Sequence, residues 1–232
     1  MRRLTHHLFA VAVLLAEGII VEAQRSGGQT TSPAVIAVLG QWDPGMEGTT
    51  PIVTADARKW NGKPAADLDG LGRRLFGATR PEFLANVTSE GAFPLAVIDG
   101  IQQFQAGTLH VDFKMIGGES DQIAGLVLNL QPTGDYLYVR YNTRDDNLAL
   151  WRFTKGQREV IAHGTNHRRL VLNAWHPLSV TIKGRTISAV AAGDLRVEHM
   201  LDHDISGRVG LWTKRDSITS FRNWRLSANL FQ

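Results

Sequence analysis

Two groups of residues in this sequence have the types and spacing to do chemistry. The first is a set of carboxylates, Asp112, Glu119 and Asp121. Retaining hydrolysis of a glycosidic bond needs a nucleophilic carboxylate and an acid/base carboxylate about 5 Å apart. The stretch Glu119-Ser120-Asp121-Gln122-Ile123-Ala124 places two acids two residues apart in a loop, where acidic residues also simply solvate a turn. The second group is Tyr138, Arg140, Asn142, Trp151 and Asn129. Aromatic rings bury the C–H faces of sugars, and Arg and Asn hydrogen-bond their hydroxyls, so this set has the chemistry of a carbohydrate-binding face. Polar residues at alternate positions also make an ordinary solvated sheet face, and the residue types alone admit both readings.

Other constellations carry less. Asp145, Asp146 and Asn147, and again Asp202-His203-Asp204, offer the oxygen ligands that calcium takes six to eight of, although each is equally a turn. A structural calcium is therefore the one cofactor considered. His163 and His167 fall in a loop beside Arg168 and Arg169 and do not make a zinc site. There is no Gly-x-Ser-x-Gly elbow, and no glycine-rich phosphate loop precedes a helix. With no cysteine, the chain has no disulfide, thiolate metal site or Cys nucleophile.

The elements that must position these residues are short strands. Over Thr108–Ile116, Leu109, Val111, Phe113 and Met115 point one way, and His110, Asp112 and Lys114 the other. Leu126, Leu128 and Leu130 form the core side of a strand with Asn129 opposite, and the turn 131–135 leads into 136–142. There Leu137, Val139 and Tyr141 fill the core and leave Tyr136, Tyr138, Arg140 and Asn142 in a row on the other face. Strands follow at 148–154, 158–162, 175–183, 186–191 and 195–201, and two more close the chain between Gly207 and Leu226 around a turn at Lys214–Ser217. Strands at such spacing predict a sandwich or barrel. Before them, Leu68, Leu71, Leu75 and Phe76 have helical spacing, with Asp67 or Asp69 as caps. The segment 83–89 is read as the opening of the β region.

The N-terminus reads as an address. Arg2 and Arg3 precede an apolar run from Leu8 to Val21, and Val21-Glu22-Ala23 puts small residues where a signal peptidase cuts. The expected organisation is a signal peptide over 1–23, a flexible Gly/Ser/Thr/Pro-rich leader over 24–50 with one apolar island that can add an edge strand, and one domain over 51–232. An exported chain, periplasmic or secreted, follows; membrane attachment would come only through an uncleaved signal. Lys plus Arg number 25 against 22 acids, a net charge of +3 with no long run of one sign, which points away from nucleic acid. Asn86-Val87-Thr88 is a glycosylation sequon in form, read here as a chance tripeptide.

Taken in order, 121–127, 136–142, 147–152, 174–176 and Gly207 to Phe221 resemble the strand series of concanavalin A-like jelly rolls, in the branch that includes laminin G-like domains and 3-keto-disaccharide hydrolase domains. The likeness covers about 93–226. It implies an all-β fold, a jelly-roll sandwich of two antiparallel sheets with short helices in the N-terminal part. It also implies a glycan or other extracytoplasmic ligand. Three functions stay open: a lectin-like module that binds without catalysis, a glycoside hydrolase using Asp112, Glu119 and Asp121 with Arg140 as a binder, and a structural or protein-interaction sandwich. The family 16 glycoside hydrolases share the architecture, but their Glu-x-Asp-x-x-Glu signature fails here at Ala124.

Overall fold

The computed structural model describes residues 34–60, 62 and 67–227; the expected signal peptide and the first part of the expected leader lie outside the described residues. The strands are β1 (Val35–Leu39), β2 (Trp42–Glu47), β3 (Thr50–Asp56), β4 (Leu95–Ile98), β5 (Gly107–Gly117), β6 (Ile123–Leu130), β7 (Tyr136–Asn142), β8 (Asn147–Thr154), β9 (Gln157–His163), β10 (His176–Lys183), β11 (Thr186–Ala191), β12 (Leu195–Met200), β13 (Arg208–Trp212) and β14 (Ile218–Ser227). Two helices, α1 (Leu68–Phe76) and α2 (Pro81–Val87), precede β4. All strand pairings are antiparallel and form two seven-stranded sheets. The first runs β1-β4-β13-β6-β7-β8-β9 and the second β12-β11-β10-β5-β14-β3-β2.

Alternation decides what each sheet buries. Leu109, Val111, Phe113 and Met115 of β5 meet Leu126 and Leu128 of β6, Leu137, Val139 and Tyr141 of β7, and Leu148 and Leu150 of β8 in the core between the sheets. Each such side chain contributes about 1.5–3 kcal/mol on leaving water. Tyr141 is polar yet faces inward. Its hydroxyl accepts from Leu170 N at 2.8 Å and donates to Arg168 O at 3.1 Å, so burial leaves no orphan and the loop 164–175 is tied to the sandwich.

The outer face of the first sheet carries a second apolar layer. Leu71 and Leu75 of α1 and Phe83 and Val87 of α2 pack on Tyr136, Tyr138, Phe153, Val127 and Trp212. Asp67 caps α1 by accepting from Gly70 N at 2.7 Å, and Gly77 ends it in the left-handed conformation at φ 77°. Arg208 of β13 donates to the Leu75 carbonyl at 2.7 Å, satisfying a late carbonyl of α1 from the sheet below.

Three expectations are corrected. The segment 83–89 is not a strand: Pro81 starts α2 at a position where its missing N–H costs nothing, and Phe83 and Val87, four apart, both face the sheet. The flexible leader does not reach residue 50, because Val35–Leu39 pairs with β4 and Trp42–Glu47 pairs with β3 as edge strands. Leu130 does not share the core face of Leu126 and Leu128. Asn129 adopts a left-handed φ of 55° in a bulge opposite Arg208–Gly210, which turns Leu130 to the helix side. Asn86 lies in α2, 4% exposed, with its amide nitrogen given to Thr133 O (2.7 Å) and Asp135 Oδ1 (2.9 Å), which leaves no free amide for a glycan.

Candidate functional site

The helices cover only part of the first sheet's outer face. Beyond them a cleft of about 580 Å³ opens, lined by Tyr138, Arg140 and Asn142 of β7, by neighbouring strands and by four loops. Its floor is set by register. Tyr138 pairs with Trp151, Gly125 lies across from Arg140 on one side and from Trp212 on the other, and Asn142 pairs with Asn147. Gly125 is required here: a Cβ would stand 2.8 Å from Val139 O and 3.3 Å from both the Arg140 Cβ and the Trp212 ring.

The expected row of β7 is therefore divided. Tyr136 belongs to the helix-covered layer, where it stacks on Phe153 at 4.7 Å, while Tyr138, of the same apolar cluster and 4.4 Å from Trp212, also lines the cleft. Burial pushes the Tyr138 phenol well above its ordinary range. Arg140 and Asn142 lie past the helices. Arg140 Nη2 meets Asp145 Oδ2 at 2.6 Å, its guanidinium sits 5.3 Å from the Trp151 ring centre, and its Nη1 is buried without a partner. Trp151 Nε1 and Asn147 Oδ1 are likewise buried and unpartnered. Orphan polar atoms of this kind cost about 1–3 kcal/mol each unless water or a ligand satisfies them.

Of Asp112, Glu119 and Asp121, one reaches the cleft. Asp121, 4% exposed, accepts from Asn142 Nδ2 at 3.1 Å and pairs with Arg215 Nε at 3.1 Å and Lys214 Nζ at 3.9 Å. Its loop is held from the turn between β13 and β14. Asp216 accepts from the backbone N–H groups of Glu119 (2.6 Å), Ser120 (2.9 Å) and Asp121 (3.2 Å), and Ser217 Oγ donates to Asp121 O at 3.0 Å and accepts from Ile123 N at 3.1 Å. Burial pushes the Asp216 carboxyl up, but the three N–H donors outweigh it and the net shift is downward. A depressed folded-state value stabilises above the ordinary carboxyl range and is lost as pH falls through the folded value. Acidification to well below the ordinary carboxyl range should therefore release the loop. In an NMR titration the amide shifts of Glu119–Asp121 are expected to move with Asp216, and Asp216→Ala should mimic the acid form at neutral pH while costing about 2 kcal/mol in chemical denaturation.

Asp112, Glu119 and Asn129 lie elsewhere. Asp112 is on the second sheet, accepting from Asn223 Nδ2 at 2.8 Å with Arg222 Nε at 3.5 Å, beside Lys114 paired to Glu47 and His110 bonded to Ser179 at 2.8 Å. Glu119 is exposed and lines a neighbouring depression, so Asp112, Glu119 and Asp121 do not converge. Asn129 is spent on the bulge, its Oδ1 accepting from Gln131 Nε2 (2.6 Å) and Ser206 N (3.1 Å). The calcium candidates point to cations instead: Asp145 to Arg140, and Asp146 to Arg169 at 3.1 Å. Among the described residues no three His, Cys, Asp or Glu side chains converge as metal ligands. Strand reasoning missed Arg144, Arg158, His163, His167 and Trp212 as lining residues; Lys214 and Arg215 lie in the one turn of the closing stretch that carried a signal, its exposed charge.

Two antiparallel sheets in this strand order, with the closing β13–β14 pair divided between them, define a jelly-roll β-sandwich. Among solved structures the chain is similar to the carbohydrate-binding module CBM66 from Bacillus subtilis, at 13% identity and a TM-score of 0.60 over 85% of this chain and 97% of that one. It is also similar to a Bacillus subtilis protein of unknown function with a galectin-like fold, at 10% identity and 0.52 over 84% and 89%. No family model and no curated protein matches the sequence.

Proposed function

We propose that this cleft binds a carbohydrate, and that the protein is an exported binding module that leaves its ligand unaltered. The observation that carries the reading is the meeting, in one cleft, of the partly exposed Trp151 ring with four buried, unpartnered polar atoms on Arg140, Asn147, Trp151 and Trp212. An aromatic face with fixed polar groups beside it suits a sugar ring. The fold-level likeness to a carbohydrate-binding module agrees with it. Against catalysis, both cleft carboxylates are ion-paired, Asp121 to Arg215 and Asp145 to Arg140, and neither is the carboxyl in apolar surroundings that a general acid requires. A glycan array tests the site: the wild type should give hits, and Trp151→Ala, with its melting curve intact, should weaken them about tenfold or more. An array without hits sinks the reading.

Export rests on Arg2 and Arg3 followed by the apolar run to Val21 and the small residues of Val21-Glu22-Ala23. Chain recovered outside the cytoplasm should begin at Gln24; recovery only from the cytoplasm with Met1 retained overturns it.

One observation favours a second reading, a glycoside hydrolase of the 3-keto-disaccharide type. Asp121 Oδ1 and Asp145 Oδ2 both contact Asn142 Nδ2, at 3.1 and 3.4 Å, and so form a close carboxylate pair. Turnover of a 3-keto-glycoside that disappears in Asp121→Asn would establish it over pure binding.

A further inference from the structure

The charges of the cleft are unequal. Arg140, Arg144, Arg158, Lys214 and Arg215 line it against Asp121 and Asp145 alone. The two acids are already engaged, Asp145 by Arg140 and Asp121 by Arg215 and Lys214. Arg144 and Arg158 form no ion pair among the described residues; Arg158 lies against the Phe93 ring at 4.6 Å. The excess of three cations equals the net charge of the whole chain, +3, so the charges read as dispersed in the sequence are balanced elsewhere and concentrated here.

The arrangement is also partly desolvated. The Lys214 side chain is 18% exposed and that of Arg140 9%, while Arg215 at 55% forms the open rim. Burial first, then the Arg158 guanidinium, hold the Lys214 ammonium below its ordinary range, and Arg215 and Arg140 add to the effect while Asp121 opposes it. Like charges gathered at a half-buried site repel one another at lower effective dielectric than water, and an anion entering among them relieves that repulsion. Guanidinium forks suit a planar carboxylate or a sulfate.

We propose that the ligand of this cleft is an acidic glycan, a saccharide bearing a uronate carboxylate or a sulfate ester that seats among Arg158, Lys214 and Arg215, with its ring against Trp151. This rests on the carbohydrate reading above and narrows its ligand class. A neutral sugar would use the ring and leave the cationic excess uncompensated.

Isothermal titration of the full chain distinguishes the cases with matched probes: tetragalacturonate and its methyl ester, a sulfated galactan tetrasaccharide and its desulfated form, and free galacturonate and inorganic sulfate. At least one acidic tetrasaccharide should bind about tenfold or more tighter than its neutral counterpart. That advantage should shrink between low and high salt and vanish in Arg158→Gln/Lys214→Gln, whose melting curve and residual binding of the neutral form report an intact fold. Equal or tighter binding of the neutral forms, lost in Trp151→Ala, overturns the acidic ligand and leaves the carbohydrate site standing. Inorganic sulfate or free galacturonate binding as tightly as the tetrasaccharides makes this a small-anion site and overturns the proposal. Absence of binding by every saccharide removes both readings.

Discussion

Arg140→Ala is expected to lower glycan affinity by about one to two orders of magnitude while leaving the fold in place, the range set by about 1.5–3 kcal/mol for hydrogen bonds made by a charged group. The residue joins three features of the cleft. It holds Asp145 through Nη2, lies against the Trp151 ring and keeps Nη1 without a protein partner. Its removal should not unfold the sheet, because the carboxylate it leaves behind is 44% exposed and rehydrates. Arg140→Lys separates charge from geometry. An ammonium keeps the sign but cannot make the planar, forked contact, so intermediate affinity identifies a bidentate contact and full affinity a purely coulombic one. Titration against whichever saccharide gives the wild type's highest affinity, with denaturation curves for each variant, reads both quantities. Unchanged affinity in Arg140→Ala would place the ligand elsewhere.

Tyr138→Ala should be the most destabilising substitution in the row, by about 3–5 kcal/mol, and binding should be lost with the fold. Its side chain is 1% exposed, contacts Trp212 and stacks on Trp151 at 6.1 Å, and lies within the layer that α1 and α2 pack upon. Tyr138→Phe keeps the ring and is the control: near-wild-type stability and affinity are expected. A Tyr138→Phe variant that folds normally and fails to bind would show that the hydroxyl takes part in binding. The measurements are a urea midpoint and a titration on the same preparations.

These two residues show how far a sequence could carry the reading. Period-two alternation placed Tyr138 and Arg140 on one face of β7, and the structure agrees. What alternation does not encode is which part of that face a distant segment covers. The covering helices come from 68–87, and α2 lacked a clear local signal because Phe-Leu-Ala-Asn-Val suits strand and helix alike. Alternation likewise separates in from out without saying which sheet a strand joins, so Asp112 and Arg140, both outward, were grouped although they occupy opposite sheets. Asn129 escaped for a different reason: one left-handed residue changes the phase of all that follows. The core face of β5 and the cap at Asp67 were legible because each depends on neighbours a few residues away. The cleft was legible only in pieces, since Asp121, Arg140, Trp151 and Lys214 come from four separate segments brought together by pairing.

The position of β14 has a consequence for biosynthesis. This late strand occupies the middle of the second sheet, between β5 and β3, and the turn before it supplies Asp216 and Ser217 to a loop nearly a hundred residues earlier. At about 5–20 residues per second, a ribosome exposes β3 and β5 for several seconds before the strand that joins them emerges. During that interval both present unpaired edges. A chain stopped before Ile218 would lack the strand that joins the two halves of that sheet, which makes the arrival of β14 a checkpoint for the sheet as a whole.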